Sequence, residues 1–200
     1  MTDSAAVPSA DELADGKPAG GFAWSNMFVH PEDDPRSEGG FDDERTVLVE
    51  YLRDQRLTLQ LKCADLNAEQ LARRAVPPST MSLIGLVRHL AEVERGWFRR
   101  TMAGEDAPRL YRTEADPDED FNGAVADPDV VAEAWRTWRA EVEFAERLVD
   151  AIPDLGTTGT MGDGETISLR ELLVHMIEEY ARHNGHADLL RELIDGRVGQ

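Results

Sequence analysis

From Ser168 to about Ile194 the chain carries an unbroken helical period, with apolar residues returning every three or four positions and no proline between them. Such a segment becomes a long helix with one buried face, so the rest of the chain has to supply helices that cover it. Three other segments have the same period. One runs from about Asp43 to Ala64, with Val47, Leu48, Tyr51, Leu52 and Leu59 on its faces. A second begins at Ser82, a ready N-cap after Pro77 and Pro78, and continues to about Met102. The third starts at Asp127-Pro128 and carries Val131, Trp135, Trp138, Val142, Ala145 and Val149 to a stop near Pro153. Asp195-Gly196 ends the last helix. The expected architecture is all-α, a four-helix bundle over residues 43–200. Its helices two and three are joined by a long crossover, Ala103 to Asp127, rich in Asp, Glu, Pro and Gly, which reads as a solvated connection and a candidate gate. Thr157 to Thr166, with Gly162-Asp163-Gly164 at its centre, fits either a small hairpin or a plain loop.

The charge excludes several classes of partner. Lys and Arg number 21 against 40 Asp and Glu, a formal net charge of −19. A surface of that sign repels phosphate backbones and anionic lipids, which sets aside nucleic-acid and membrane-surface binding. No run of about 18 uncharged apolar residues is present, so no membrane span is expected. The first residues, MTDSAAVPSADELADG, lack the basic and then apolar layout of a secretory signal. The single cysteine, Cys63, cannot form an internal disulfide and fits a reducing cytosol, so a cytoplasmic location is expected. Residues 1–42 read as an irregular acidic arm, partly extended, because Pro, Gly and Ser are frequent and apolar period is absent. Within it Phe22, Trp24, Met27 and Phe28 need a surface to cover, either the bundle or a second subunit, and a homodimer is one expected assembly. His30 lies in the same arm and receives no role.

The last helix carries the chemistry. At about 100° per residue, Leu172, Met176, Tyr180, Ala187, Leu190 and Ile194 define its buried stripe. Glu179 and His183 fall inside that stripe, with His175 and His186 along its edge. An unpaired buried carboxylate costs several kcal/mol or protonates, so Glu179 needs a partner. Its four-residue spacing from His183 lets both side chains converge on one ion. His89 on the second helix, flanked by Leu86, Leu90, Val93 and Trp97, also points inward. Two imidazoles and one carboxylate give a divalent cation three ligands and leave positions open, the pattern of catalytic sites, and zinc or nickel suits the set. His175 and His186 would orient a ligand or hold substrate. The bland alternative for each histidine is a hydrogen bond in the core or at the helix surface. Cys63 reads as a small buried hydrophobe, Trp135 and Trp138 as core, and the acids from Asp116 to Asp120 lack the spacing of a calcium loop.

Two segments, STMSLIGLVRHLAEVERGWFRR at 79–100 and TISLRELLVHMIEEYARHNGHADLLRELIDGRVGQ at 166–200, closely resemble the actinobacterial DUF664 group of the DinB-like superfamily, also described as mycothiol-transferase-like. The resemblance runs from about Asp43 to the end of the chain. It implies a four-helix bundle with a metal ligated by a histidine of the second helix and two residues four apart on the last. Carried onto this sequence, those are His89, Glu179 and His183. Many members have His where Glu179 stands; the His-Glu-His set resembles that of mycothiol-dependent maleylpyruvate isomerase. That enzyme has a further C-terminal domain, so its isomerisation is not the expected reaction for a chain ending at Gln200. The resemblance implies a metal-dependent thiol S-transferase that conjugates a low-molecular-weight thiol, mycothiol, to small electrophiles, with His186 or Arg182 positioning substrate. Two other readings stand beside it on the same bundle: a non-enzymatic stress-response protein binding a metal or small ligand, and a metal-assisted hydrolase.

Overall fold

The computed structural model describes Val29, residues 34–37 and residues 39–199. Each long helix starts on the side chain its sequence offers. Asp43 caps α1 (Glu44–Cys63) by accepting from Thr46 N–H at 3.0 Å. A short α2 (Ala68–Ala72) follows, closed by a reciprocal pair of hydrogen bonds between Asn67 and Gln70. Ser82 caps α3 (Leu83–Glu94) through Gly85 N–H at 3.2 Å. Within the crossover lies α4 (Glu119–Asn122), and Asp127 then caps α5 (Pro128–Ala151). Ser168 caps α6 (Leu169–Asp195), which ends on Gly196 at φ +78°, a left-handed position that favours glycine. These side chains satisfy N–H groups that a first helical turn leaves without partners.

α1 packs along α6 and α3 along α5, and the two pairs meet where α3 approaches α6. The core between them includes Leu52, Leu59, Leu86, Leu90, Phe98, Trp138, Met176 and Tyr180. α3 does not stop at Glu94. It widens into π-helical winding over Arg95–Met102, where Ala103 N–H donates to Phe98 O, five residues back, at 2.9 Å. Thr157 to Thr166 resolves as a hairpin, β1 (Thr158–Thr160) antiparallel to β2 (Thr166–Ser168), with Gly159 opposite Ile167. A Cβ on Gly159 would lie 2.4 Å from Thr101 O, so glycine lets the hairpin sit directly on the end of the π-wound segment.

The crossover from Ala103 to Asp127 is exposed over much of its length, as its composition indicates, but it is anchored to α3 at three buried points. Tyr111, Asp120 and Ala124 are buried, and α3 side chains tie the segment down. Glu92 accepts from the N–H groups of Leu110 at 2.8 Å and Tyr111 at 2.9 Å. Arg88 donates to the carbonyls of Asp120 and Glu119, both at 2.9 Å, with its guanidinium 4.0 Å from the centre of the Tyr111 ring. Burial on this side as well as against α5 explains why nearly every residue of α3 from Leu83 to Leu90 is buried. Part of the acidic arm is also anchored: Arg36 donates to Thr58 Oγ1 at 3.2 Å and Ser37 N–H to Asp54 Oδ1 at 3.0 Å, both on α1. Phe22, Trp24, Met27, Phe28 and His30 lie outside the described residues. Among the described residues no helix is long and apolar enough to cross a membrane.

Candidate metal centre

His89, Glu179 and His183 come together. One ligand atom from each lies within 4.8 Å of the other two. His89 sits in the second turn of α3, and Glu179 and His183 sit one turn apart on α6, where that helix approaches α3. The two imidazole rings are 4.7 Å apart, and His183 Nε2 is 3.4 Å from Glu179 Oε2. The side chains of His89, Glu179 and His183 are 15 %, 23 % and 12 % exposed, so Glu179 and His183 line the edge of the α6 stripe, facing His89 on α3, while Met176, Tyr180 and Asn184 hold the centre of that stripe. That edge position, shifted from the wheel expectation, leaves one side of the cluster accessible to a ligand.

Each imidazole is oriented through its other nitrogen. His89 Nδ1 is 2.9 Å from Asp120 Oδ2, and the ring of Phe121 stacks on it at 5.3 Å and 26°. His183 Nδ1 is 3.3 Å from His186 Nδ1. Both Nε2 atoms therefore remain for a shared ion, the arrangement in which an outer hydrogen bond fixes a ligand's tautomer. Asp120 is wholly buried. Burial pushes its carboxyl up, but the hydrogen bond from His89, the charges of His89 and Arg112 and the Phe121 N–H outweigh it and hold the group below the usual carboxylate range.

Asp120 is the residue that sequence reasoning missed. Nothing in its acidic run separates it from Asp116 or Asp118; the one local signal is Phe121, an aromatic return to the core after four acidic positions and a proline. If Asp120 fixes His89, Asp120→Ala is expected to weaken zinc affinity by about 10- to 100-fold, with Asp120→Asn in between. Competition against a chromophoric chelator measures this, and unchanged affinity in Asp120→Ala would remove the positioning role.

Burial lowers the His183 pKa to about 4; the charge of His89 adds to this, and Glu179 opposes it. The imidazole is therefore neutral at pH 7 with a lone pair to donate, which is the form a metal needs. In metal-free protein the unfolded chain takes up this proton near 6.5 while the folded chain does not until about 4. Unfolding then binds a proton across that window, so stability is expected to fall as pH drops from about 6.5 to about 4. Urea midpoints of the metal-free wild type and of His183→Gln at several pH values check it; equal slopes would refute it.

The remaining sequence candidates are placed less centrally. His175 Nε2 lies 3.9 Å from Glu179 Oε1, beyond hydrogen-bond reach, and the ring meets Trp97 edge-on at 4.6 Å. Arg182 is exposed; its charge reaches His183, but no described hydrogen bond or ion pair joins it to the cluster. Cys63 is buried and its thiol is pushed up to about 12 by burial, which makes it an inert core residue.

The donor set fits a divalent ion. Bonds of about 2.0–2.2 Å from zinc to nitrogen and oxygen bring ligand atoms to roughly 4 Å or less, so the observed separations need only a small closing. A helical bundle whose second and last long helices converge in a His-Glu-His cluster defines a class of DinB-like proteins with a candidate metal centre. The chain belongs to the mycothiol-S-transferase family, whose model matches residues 47–196. No curated protein matches it in sequence. Among solved structures it resembles one titled "Crystal structure of the conserved protein of locus from Enterococcus faecalis", with a TM-score of 0.54 and 15 % identity over 78 % of this chain and 99 % of that one. At that identity the likeness speaks for the fold alone.

Proposed function

We propose that this chain is a metal-dependent thiol S-transferase in which His89, Glu179 and His183 hold one zinc or nickel ion and mycothiol is the thiol. The observation that carries the reading is the convergence of two imidazoles, tied behind by Asp120 and His186, on one carboxylate, in a chain of the mycothiol-S-transferase family. When bound, the ion supplies the charge that lowers a thiol's pKa, so that thiolate is present at neutral pH. The protein's own residues do the rest. Asp120 and His186 hold the rings so that no reorientation is needed when sulfur arrives. Glu179 contributes a single negative charge, so the loaded site keeps a net charge of about +1 toward an anionic sulfur. The thiol proton passes to solvent on the accessible side of the cluster. The sulfur then forms a C–S bond with the electrophilic carbon, and that carbon's leaving group departs with the bonding pair.

Conjugation of 1-chloro-2,4-dinitrobenzene, followed with mycothiol, glutathione and cysteine in parallel, tests this. The expected result is a mycothiol-dependent rate that exceeds those with the other two thiols and drops at least about a hundredfold in His89→Ala. A rate independent of thiol, or equal in His89→Ala, would refute the transferase.

A further inference from the structure

One turn beyond His89, the π-wound segment and the β-hairpin enclose a groove of about 490 Å³ that the metal centre does not use. Its walls include Val93, Trp97, Arg100, Arg109 and the hairpin tip from Thr160 to Gly162, and Gly96 forms its floor. That volume lies within the range of small-molecule sites, about 300–1,000 Å³. Trp97 is the partition between groove and centre: it lines the groove and also meets His175, which stands 3.9 Å from Glu179.

Packing does not require glycine at position 96. Inside a helix this residue is destabilising relative to alanine, and close packing is the usual reason to keep one. Here a Cβ would meet nothing within 4 Å, in contrast to Gly159, where it would strike the backbone of Thr101. The space that a side chain at position 96 would fill is the groove itself.

The charge of the lining is the second observation. In a chain of net charge −19, two guanidinium groups face this groove, and among the described residues neither Arg100 nor Arg109 has a carboxylate at ion-pair distance. Their neighbours Arg95 and Arg99 both pair with Glu141. Of the acids on the rim, Glu105 is engaged by Arg99 at 3.3 Å, which leaves Asp106 against two arginines. An aromatic wall, a bare floor and two unpaired arginines match one ligand chemistry: a flat ring or conjugated chain carrying a carboxylate, which guanidinium recognises through paired hydrogen bonds.

We propose that this groove is the electrophile's site and that it selects flat anionic electrophiles, with the ring over Gly96 against Trp97 and the carboxylate on Arg100 and Arg109. Its assignment to the electrophile rests on the S-transferase reading; its preference for flat anions does not.

Calorimetric titration without thiol, using 4-chloro-3-nitrobenzoate and the uncharged 4-chloro-3-nitrobenzamide, separates the two. The carboxylate is expected to bind at least about tenfold more tightly than the amide, and the double variant Arg100→Ala/Arg109→Ala to erase that preference. Gly96→Leu is expected to weaken both ligands at least about tenfold while its thermal midpoint stays level or rises, since leucine is the better helix former. Equal affinities in the wild type, a preference that survives the double variant, tight binding in Gly96→Leu, or no binding of either compound at millimolar concentration each overturns the proposal. Turnover with mycothiol judges the other reading separately. Anion preference without thiol-dependent turnover keeps the groove's selectivity and removes its role as the electrophile's site. Turnover in which the double variant leaves KM for 4-chloro-3-nitrobenzoate unchanged keeps the transferase and removes the groove.

Discussion

Wild-type protein prepared without a polyhistidine tag and equilibrated with zinc is expected to keep one ion per chain after desalting, and His183→Ala to keep less than a tenth of that. His183 is the middle of the cluster: its ring is 4.7 Å from that of His89, its Nε2 is 3.4 Å from Glu179, and its Nδ1 faces His186. Removing it takes one of three candidate ligands and leaves His89 and Glu179 on separate helices without the group between them. A site of two ligands on different elements has little advantage over two surface residues in water. The fold itself should survive, because His183 lies at the edge of the α6 stripe and the helix centre is held by Met176, Tyr180 and Asn184. Helical circular dichroism of the variant should therefore match the wild type. An ion that binds only the folded chain raises stability by mass action, by about 2.7 kcal/mol at a hundred times its dissociation constant, so zinc is expected to raise the wild-type midpoint and not that of the variant. Equal zinc content in both proteins, or none in either after loading, would remove the metal centre; repeating the measurement with nickel decides between the two ions.

The His-Glu-His set was legible because helical geometry is nearly deterministic over 15 residues of unbroken period: Glu179 and His183 could only lie one turn apart, and Leu86 and Leu90 could only turn His89 inward. The four long helices were legible for the same reason, and Asp43, Ser82, Asp127 and Ser168 marked their starts within a residue. What escaped was whatever depends on contacts between segments far apart in the chain. Asp120 reaches His89 from 31 residues away, and an acidic run gives no sign of which carboxylate two basic partners will draw inside. The π-winding after Glu94 escaped because its period differs from that of an α-helix by less than a short amphipathic segment can reveal. Arg56 and Glu94 escaped because a charged residue on a helix face reads as solvated unless its partner is known, and theirs lie on other helices.

Glu94→Ala is expected to destabilise the protein by about 3–5 kcal/mol, as much as truncating a large aromatic in the core. Glu94 is wholly buried, and its two carboxylate oxygens accept from Arg56 Nε and Nη2, both at 2.8 Å. Tyr180 OH donates to the same carboxylate at 2.8 Å and accepts from Trp138 Nε1 at 2.8 Å. One residue from each of α1, α3, α5 and α6 thus meets in the middle of the bundle. Burial pulls the Arg56 guanidinium toward neutrality, but the Glu94 charge overrides it and keeps the group cationic. Deleting Glu94 leaves that cation buried, with the half-exposed Glu146 at 3.7 Å as its remaining described carboxylate. Tyr180→Phe, which leaves the ion pair in place and orphans the Trp138 N–H, should cost less, about 1–3 kcal/mol. The double variant Arg56→Met/Glu94→Leu removes both charges and should recover most of the loss, because an apolar pair of similar volume carries no desolvation cost. Urea denaturation of the three variants gives the order; a loss below about 1 kcal/mol in Glu94→Ala would show the pair to be dispensable. The same clamp bears on the metal centre. Glu94 lies five residues after His89 on α3, and Tyr180 is adjacent to Glu179 on α6, so their hydrogen bond fixes the two helices against each other beside the three candidate ligands. Zinc affinity should therefore fall in Glu94→Ala even at temperatures where the variant is fully folded, and remain near wild type in the double variant if packing alone can hold α3 against α6.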